Sequence, residues 1–355
     1  MNIKSLKIGN LVARLPIIQG GMGIGVSRSK LAAAVTNAGG IGIISAAQVG
    51  YDEEDFEYNN LEANIRALKK HITIAKQKTM GGVIGVNIMV AMNNYAEHVK
   101  AAIESGADII ISGAGMPISL PKLVKGYDIK IAPIVSSLKS ARVIMKLWDR
   151  HDKIAPDMIV IEGPRAGGHL GFKKDDLEKC SENFSNEVIS IIEETKIYAD
   201  KYNKHIPVIV AGGVYNGEDI AVYLNLGADG VQMATRFVAT EECDASEEFK
   251  KAYINSKKED IVIVSSPVGM PGRALLNTFV EKTFKGNIKV NKCYKCISHC
   301  NPSETPYCIS KALINGVTGD LDNALIFCGD NAYRIKEIVT VSQLMKELES
   351  EILKI

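Results

Sequence analysis

Short apolar runs recur through the first two-thirds of the chain. Each is followed by a stretch in which apolar positions return every three or four residues. The runs are Pro16–Gln19, Ile41–Ile44, Val83–Asn87, Asp108–Ile111, Ile129–Val135, Met158–Ile161, Val208–Val210 and Gly230–Met233. Short and rich in Ile and Val, they read as strands buried on both faces. Between them, Arg28–Ala38, Leu61–Lys78, Tyr95–Ser105, Leu138–Trp148, Asn186–Tyr202 and Gly217–Leu226 follow a helical period. Doubly buried strands joined by helices require a parallel sheet covered with helices. Eight such units predict an α/β fold of the closed (β/α)8 TIM-barrel type rather than an open doubly wound sheet. No GxGxxG opens a helix in the first strand–helix–strand unit, which argues against a dinucleotide fold.

The rhythm changes near Glu241. Glu241–Lys258 is charged and reads as a helix, Asn291–Cys308 is cysteine-rich and irregular, and Val341–Leu353 is an amphipathic helix. The expected division is a barrel over residues 1–240, completed by 320–355, with a smaller subdomain over 241–319 that contains the cysteines.

The totals narrow the class. The 355 residues are 46% apolar and 23% charged with a net charge of +1, as in a soluble globular protein. Neither nucleic acid nor an anionic membrane is an expected partner. The uncharged stretch Leu31–Tyr51 is long enough to span a bilayer, but Asn37, Gly39, Gly40, Gly42 and Gln48 interrupt it. The first ten residues alternate lysine with apolar residues and lack the apolar core of a signal peptide. A cytoplasmic location follows as an expectation, with the seven cysteines as reduced thiols, metal ligands or redox groups.

Candidate chemistry gathers at strand ends. After the sixth strand comes Glu162-Gly163-Pro164-Arg165-Ala166-Gly167-Gly168-His169. Adjacent glycines let backbone approach a ligand closely, and histidine trades a proton near neutral pH. An ordinary loop histidine is the alternative. Gln19-Gly20-Gly21-Met22-Gly23 follows the first strand, either as a tight turn or as a loop whose amides face a ligand. Asn87 ends the third strand with a group that both gives and takes hydrogen bonds, or that ties down its own turn. Gly212-Gly213 and Gln232-Met233-Ala234-Thr235 follow strands seven and eight, the usual phosphate cradle of such barrels.

Together these motifs resemble the nitronate monooxygenase family: GGMG after strand one, GVNIM at strand three, EGxxAGGHxG at strand six, AGG at strand seven and GVQxxTRF at strand eight. That family includes FMN-dependent enoyl-acyl-carrier-protein reductases and NADH:quinone reductases. The resemblance runs from about Leu15 to Phe237 and implies FMN at the top of the barrel, with His169 catalytic. It implies cofactor contacts from Gly21, Met22, Gly23, Asn87, Glu162, Gly167, Gly168, Gly212, Gly213, Gln232, Ala234 and Thr235. Oxidation of alkyl nitronates is the expected activity. NAD(P)H-dependent reduction of an enoyl thioester or a quinone, with NAD(P)H as co-substrate, is the rival. The partner is a small-molecule substrate, and a homodimer stays open.

Two features depart from the family. Arg165 stands where many relatives carry Glu, so a cation beside His169 would favour an anionic ligand. The run Cys293-x2-Cys296-x3-Cys300-x7-Cys308 is absent from typical members. Its spacing is similar to a [4Fe–4S] motif in another group of barrel flavoenzymes. Zinc more often sits between two CxxC knuckles, and four free thiols are the third option. His299 is a further candidate ligand, whereas Cys180 and Cys328 read as surface or core thiols.

Overall fold

The computed structural model describes residues 3–355. Eight parallel strands lie in one sheet: β1 (Ile17–Gln19), β2 (Gly42–Ser45), β3 (Ile84–Met89), β4 (Ile109–Gly113), β5 (Lys130–Val135), β6 (Ile159–Glu162), β7 (Val208–Ala211) and β8 (Gly230–Met233). Each pairs with its sequence neighbour from β2 through β8, and β8 pairs with β1. Closure between β1 and β2 uses a single bridge, Ile18 to Ile41. There Ile41 N donates to Ile17 O at 3.0 Å and Gln19 N donates to Ile41 O at 2.9 Å. The eight-stranded α/β barrel is therefore present.

The two-faced apolar strands have the expected cause. Ile43, Ile109, Ile111, Val160 and Ile209 fill the barrel interior. Their neighbours Ile44, Ile110, Ile161, Val208 and Val210 pack outward against helices. The helices of nine or more residues in the crossovers are α1 (Ser29–Asn37), α2 (Asn60–Lys78), α3 (Tyr95–Glu104), α4 (Leu138–Asp152), α5 (Phe184–Tyr202) and α6 (Gly217–Asn225), with the short helix Leu120–Leu123 between β4 and β5. An N-terminal hairpin, Leu6–Ile8 against Leu11–Ala13, adds Leu6, Ile8 and Ala13 to the interior cluster. The sequence pattern did not reveal this hairpin, because its strands are only three residues each.

Beyond the barrel, β9 (Ile261–Ser265) and β10 (Pro271–Leu275) form an antiparallel pair. The segment Gly168–His169 joins it as a third strand, with His169 opposite Gly272. Helices α7 (Glu247–Asn255), α8 (Thr278–Lys285), α9 (Ile309–Thr318) and α10 (Val341–Leu353) follow. Helix α10 shares an apolar cluster with α1, α6 and β8 through Leu344, Met345, Leu348 and Ile352.

One expectation needs correction. Glu241–Lys258 is not a continuous helix, because residues 241–246 serve another element. Cys243 and Ala245 are buried, and the Asp244 carboxylate accepts hydrogen bonds from Arg28 N at 2.9 Å and Leu31 N at 3.2 Å. Those are orphan amides at the start of α1. Helix α7 then begins under its own cap, with Ser246 Oγ accepting from Phe249 N at 3.3 Å.

Candidate active site

A cavity of about 250 Å³ opens at the C-terminal ends of the barrel strands. Gly21, Met22, Gly23, Asn87, Glu162, Gly167, Gly168, His169, Gly212, Gly213, Gln232, Ala234 and Thr235 all line it. Residues from five strand-end loops thus meet in one place. In (β/α)8 enzymes this is the end where active sites are built.

Three glycines show why these loops can converge. A Cβ on Gly21 would lie 2.4 Å from the Asn87 Cβ, so only glycine lets the first loop lie against the end of β3. Gly212 and Gly213 both adopt positive φ, +93° and +86°, where a side chain strains the backbone. Gln19, the first residue of its motif, plays a different part. It is fully buried, its Oε1 accepts from Ile43 N at 3.1 Å, and its amide donates to Gly20 O. It braces β1 against β2 beneath the cavity.

His169 is held on two sides. Its Nε2 lies 2.7 Å from Ser266 Oγ, and its ring stands edge-on to Phe327 with centroids 5.0 Å apart. Burial holds the imidazole down to about 4, so the ring is neutral at pH 7. Ser266 Oγ also accepts from Val268 N at 3.3 Å, which frees its hydroxyl hydrogen for Nε2. The tautomer assigned from this network carries its proton on Nδ1. Glu162 shows the opposite shift from the same cause: burial pushes its carboxyl up to about 7. Two titratable groups thus share one cavity, with burial displacing their ionisation in opposite directions.

Gln232 supplies a further signal, because its Oε1 is buried with no hydrogen-bond partner among the described residues. A buried acceptor left unmade costs free energy, so a ligand donor at this point would be strongly held.

Three contributors escaped sequence reading. Ser266, Phe327 and Arg273 reach the site from the far part of the chain, and no local pattern marks them. Arg273 is buried and donates through Nη1 to Pro164 O at 2.9 Å and to Ala166 O, pinning the loop that leads to His169. The electrostatic role expected for Arg165 also changes. Its side chain is largely exposed at the rim, where Asp330 lies 3.8 Å away and offsets its charge. Asp330 sits 3.9 Å from Arg273 as well.

The cysteine run lies elsewhere. Cys293, Cys296, Cys300 and Cys308 line a second cavity of about 210 Å³, together with Asn93 and Ile309. Cys180 is half-buried, and Cys243 and Cys328 are buried.

Comparison with known proteins agrees with this geometry. The family model described as nitronate monooxygenase matches residues 4–351. The chain belongs to the nitronate monooxygenase family. This family member is 27% identical over 303 residues to a probable nitronate monooxygenase of Staphylococcus saprophyticus, covering 79% of this chain and 81% of that one. It is 29% identical over 297 residues to a probable nitronate monooxygenase of Staphylococcus aureus strain Newman, covering 77% and 79%. Among solved structures, FabK from Thermotoga maritima superposes with a TM-score of 0.71 at 28% identity, covering 96% of this chain and 93% of that one. A nitroalkane oxidase from Streptomyces ansochromogenes shares the fold with a TM-score of 0.72 at 19% identity, covering 96% of each chain. This nitronate monooxygenase family member is therefore an oxidoreductase. Among its described residues, no helix is long and apolar enough to cross a membrane.

Proposed function

We propose that this family member binds FMN in the barrel-mouth cavity and oxidises alkyl nitronates, with His169 as the catalytic residue. The observation that carries the reading is the convergence of glycine loops, carboxamides, a neutral imidazole and a raised carboxyl in one cavity. The residues present fit a flavin. The unpartnered Gln232 Oε1 suits the ring's N–H, and Asn87 can both give and accept at a heterocycle edge. The open backbone at Gly212-Gly213 and the Ala234-Thr235 segment at the start of a short helix suit the phosphate. Gly21, Met22 and Gly23 would lie along the ring, and Gly167 and Gly168 would bring backbone close to it.

Bound flavin supplies the two-electron acceptor, which no side chain here can replace. The chain's own groups position the substrate. With Nε2 occupied by Ser266, the Nδ1–H of His169 is free to donate to a nitronate oxygen. Because the ring is neutral, it orients the anion without handing over a proton. Glu162, neutral below about pH 7, adds no negative charge to repel it. Phe327 and the strand Gly168–His169 keep water from one side of the imidazole.

A second reading has an observation behind it. The likeness to FabK extends over 96% of the chain, further than the likeness to the curated relatives. In that reading NAD(P)H is the electron donor and an enoyl thioester or a quinone the acceptor. Anaerobic stopped-flow spectroscopy separates the two. Rapid flavin bleaching by a nitronate but not by NAD(P)H is the expected result, and bleaching by NAD(P)H alone would overturn it. His169→Ala should retain flavin and lose about 10²–10⁴-fold in turnover.

A further inference from the structure

The cysteine cavity lies outside the barrel-mouth cavity and is not used by the chemistry above. Residues 286–308, between α8 and α9, contain no helix and only an isolated bridge from Ile297 to Met92. So long an irregular segment inside a compact fold is uncommon unless something beyond its own backbone organises it. The segment nevertheless docks firmly on the loop after β3. Asn93 N donates to Cys296 O at 3.1 Å, and Ser298 N donates to Ala91 O at 3.0 Å. Tyr294, Ile297 and Tyr307 are buried.

Four cysteines face one cavity of about 210 Å³, yet among the described residues no three His, Cys, Asp or Glu side chains converge tightly enough to share one metal ion. A single ion and a cluster ask for different spacings of the same four thiolates. Four thiolates on one zinc at about 2.3 Å must stand about 3.8 Å apart from one another. In a cubane cluster each thiolate holds a different iron at a different corner, so the sulfurs stand wider and surround a volume. We propose that Cys293, Cys296, Cys300 and Cys308 bind a [4Fe–4S] cluster that fills this cavity.

The assembly balances. Two ferric and two ferrous ions with four sulfide ions make a core of charge 2+. Four thiols each lose a proton as the four iron–sulfur bonds form, which leaves the site at 2− and releases four protons. Cys293 Sγ already accepts a hydrogen bond from Lys295 N at 3.3 Å, the kind of contact that stabilises a cluster's thiolate ligands. Helix α9 links the two cavities: Ile309 lines the cysteine cavity and Leu313 the barrel mouth, about 6 Å further along the helix. The cluster would fix the irregular segment beside the flavin cavity.

The test uses the full chain, purified anaerobically and reconstituted with iron salts and sulfide. Wild type and the control Cys180→Ser should each bind about four iron and four sulfide per chain, with a brown absorbance that flavin lacks. Cys296→Ser and Cys308→Ala should each lose most of that iron. A readout independent of those variants is thiol alkylation of the wild type. The four cysteines should resist labelling until a chelator strips the iron, whereas Cys180 labels throughout. Reconstituted wild type without iron, stoichiometric zinc in place of iron, or unchanged iron in both cysteine variants would each overturn the proposal.

Discussion

Replacing Glu162 by Gln and His169 by Asn, one at a time, should tilt the pH dependence of stability in opposite directions. Burial raises Glu162 from 4.5 to about 7. Between those values the folded protein keeps a proton that the unfolded chain has lost. The associated stability is full below 4.5 and is lost as pH rises through about 7. Burial lowers His169 from 6.5 to about 4, so there the unfolded chain holds the extra proton. That stability is full above 6.5 and is lost as pH falls through about 4. Each displacement is worth at most about 3 kcal/mol. Over pH 4.5–6.5 the two slopes cancel in the wild type, and each substitution exposes the other. Relative to wild type, Glu162→Gln should gain about 2 kcal/mol between pH 5 and 7.5, and His169→Asn should gain about as much in the reverse direction. Urea unfolding of the flavin-free protein at fixed ionic strength measures both differences. The single tryptophan, Trp148, is fully buried and reports the transition. Difference curves of the same sign, or flat within about 0.5 kcal/mol, would refute the assignment of these shifts to burial in a shared cavity.

Two further predictions concern the walls of the site. Gly21→Ala forces a methyl to within 2.4 Å of the Asn87 Cβ. Overpacking of this kind costs about 1–3 kcal/mol, so FMN affinity measured by fluorescence titration should fall about tenfold or more. An unchanged Kd would show that the first loop does not touch the flavin. Ser266→Ala removes the partner of His169 Nε2. A hydrogen bond of about 0.5–1.5 kcal/mol predicts a loss of about 2–10-fold in kcat, with flavin content unchanged. Full activity in this variant would mean that the tautomer is set elsewhere.

Much of the barrel was legible along the chain because its code is local. Ile43 beside Ile44, and Ile109 beside Ile110, announce strands apolar on both faces, and a parallel sheet covered on both sides buries both sets. The loop motifs were legible for a similar reason. Glycine at positive φ, or where a Cβ would collide, leaves a mark in the sequence wherever a loop must turn tightly beside a ligand. What surrounds those motifs was set by the tertiary structure alone. The cap of α1 comes from Asp244, more than two hundred residues away. Ser266 fixes the tautomer of His169, Phe327 stands edge-on to its ring, and Arg273 pins the loop before it. None of these has a periodicity or spacing of its own. Their effect arises only when packing removes water from the imidazole and from Glu162, and desolvation is a property of the assembled cavity rather than of any segment. The cysteines divide in the same way: their spacing marks a ligand set along the chain, whereas only the fold brings all four to one cavity.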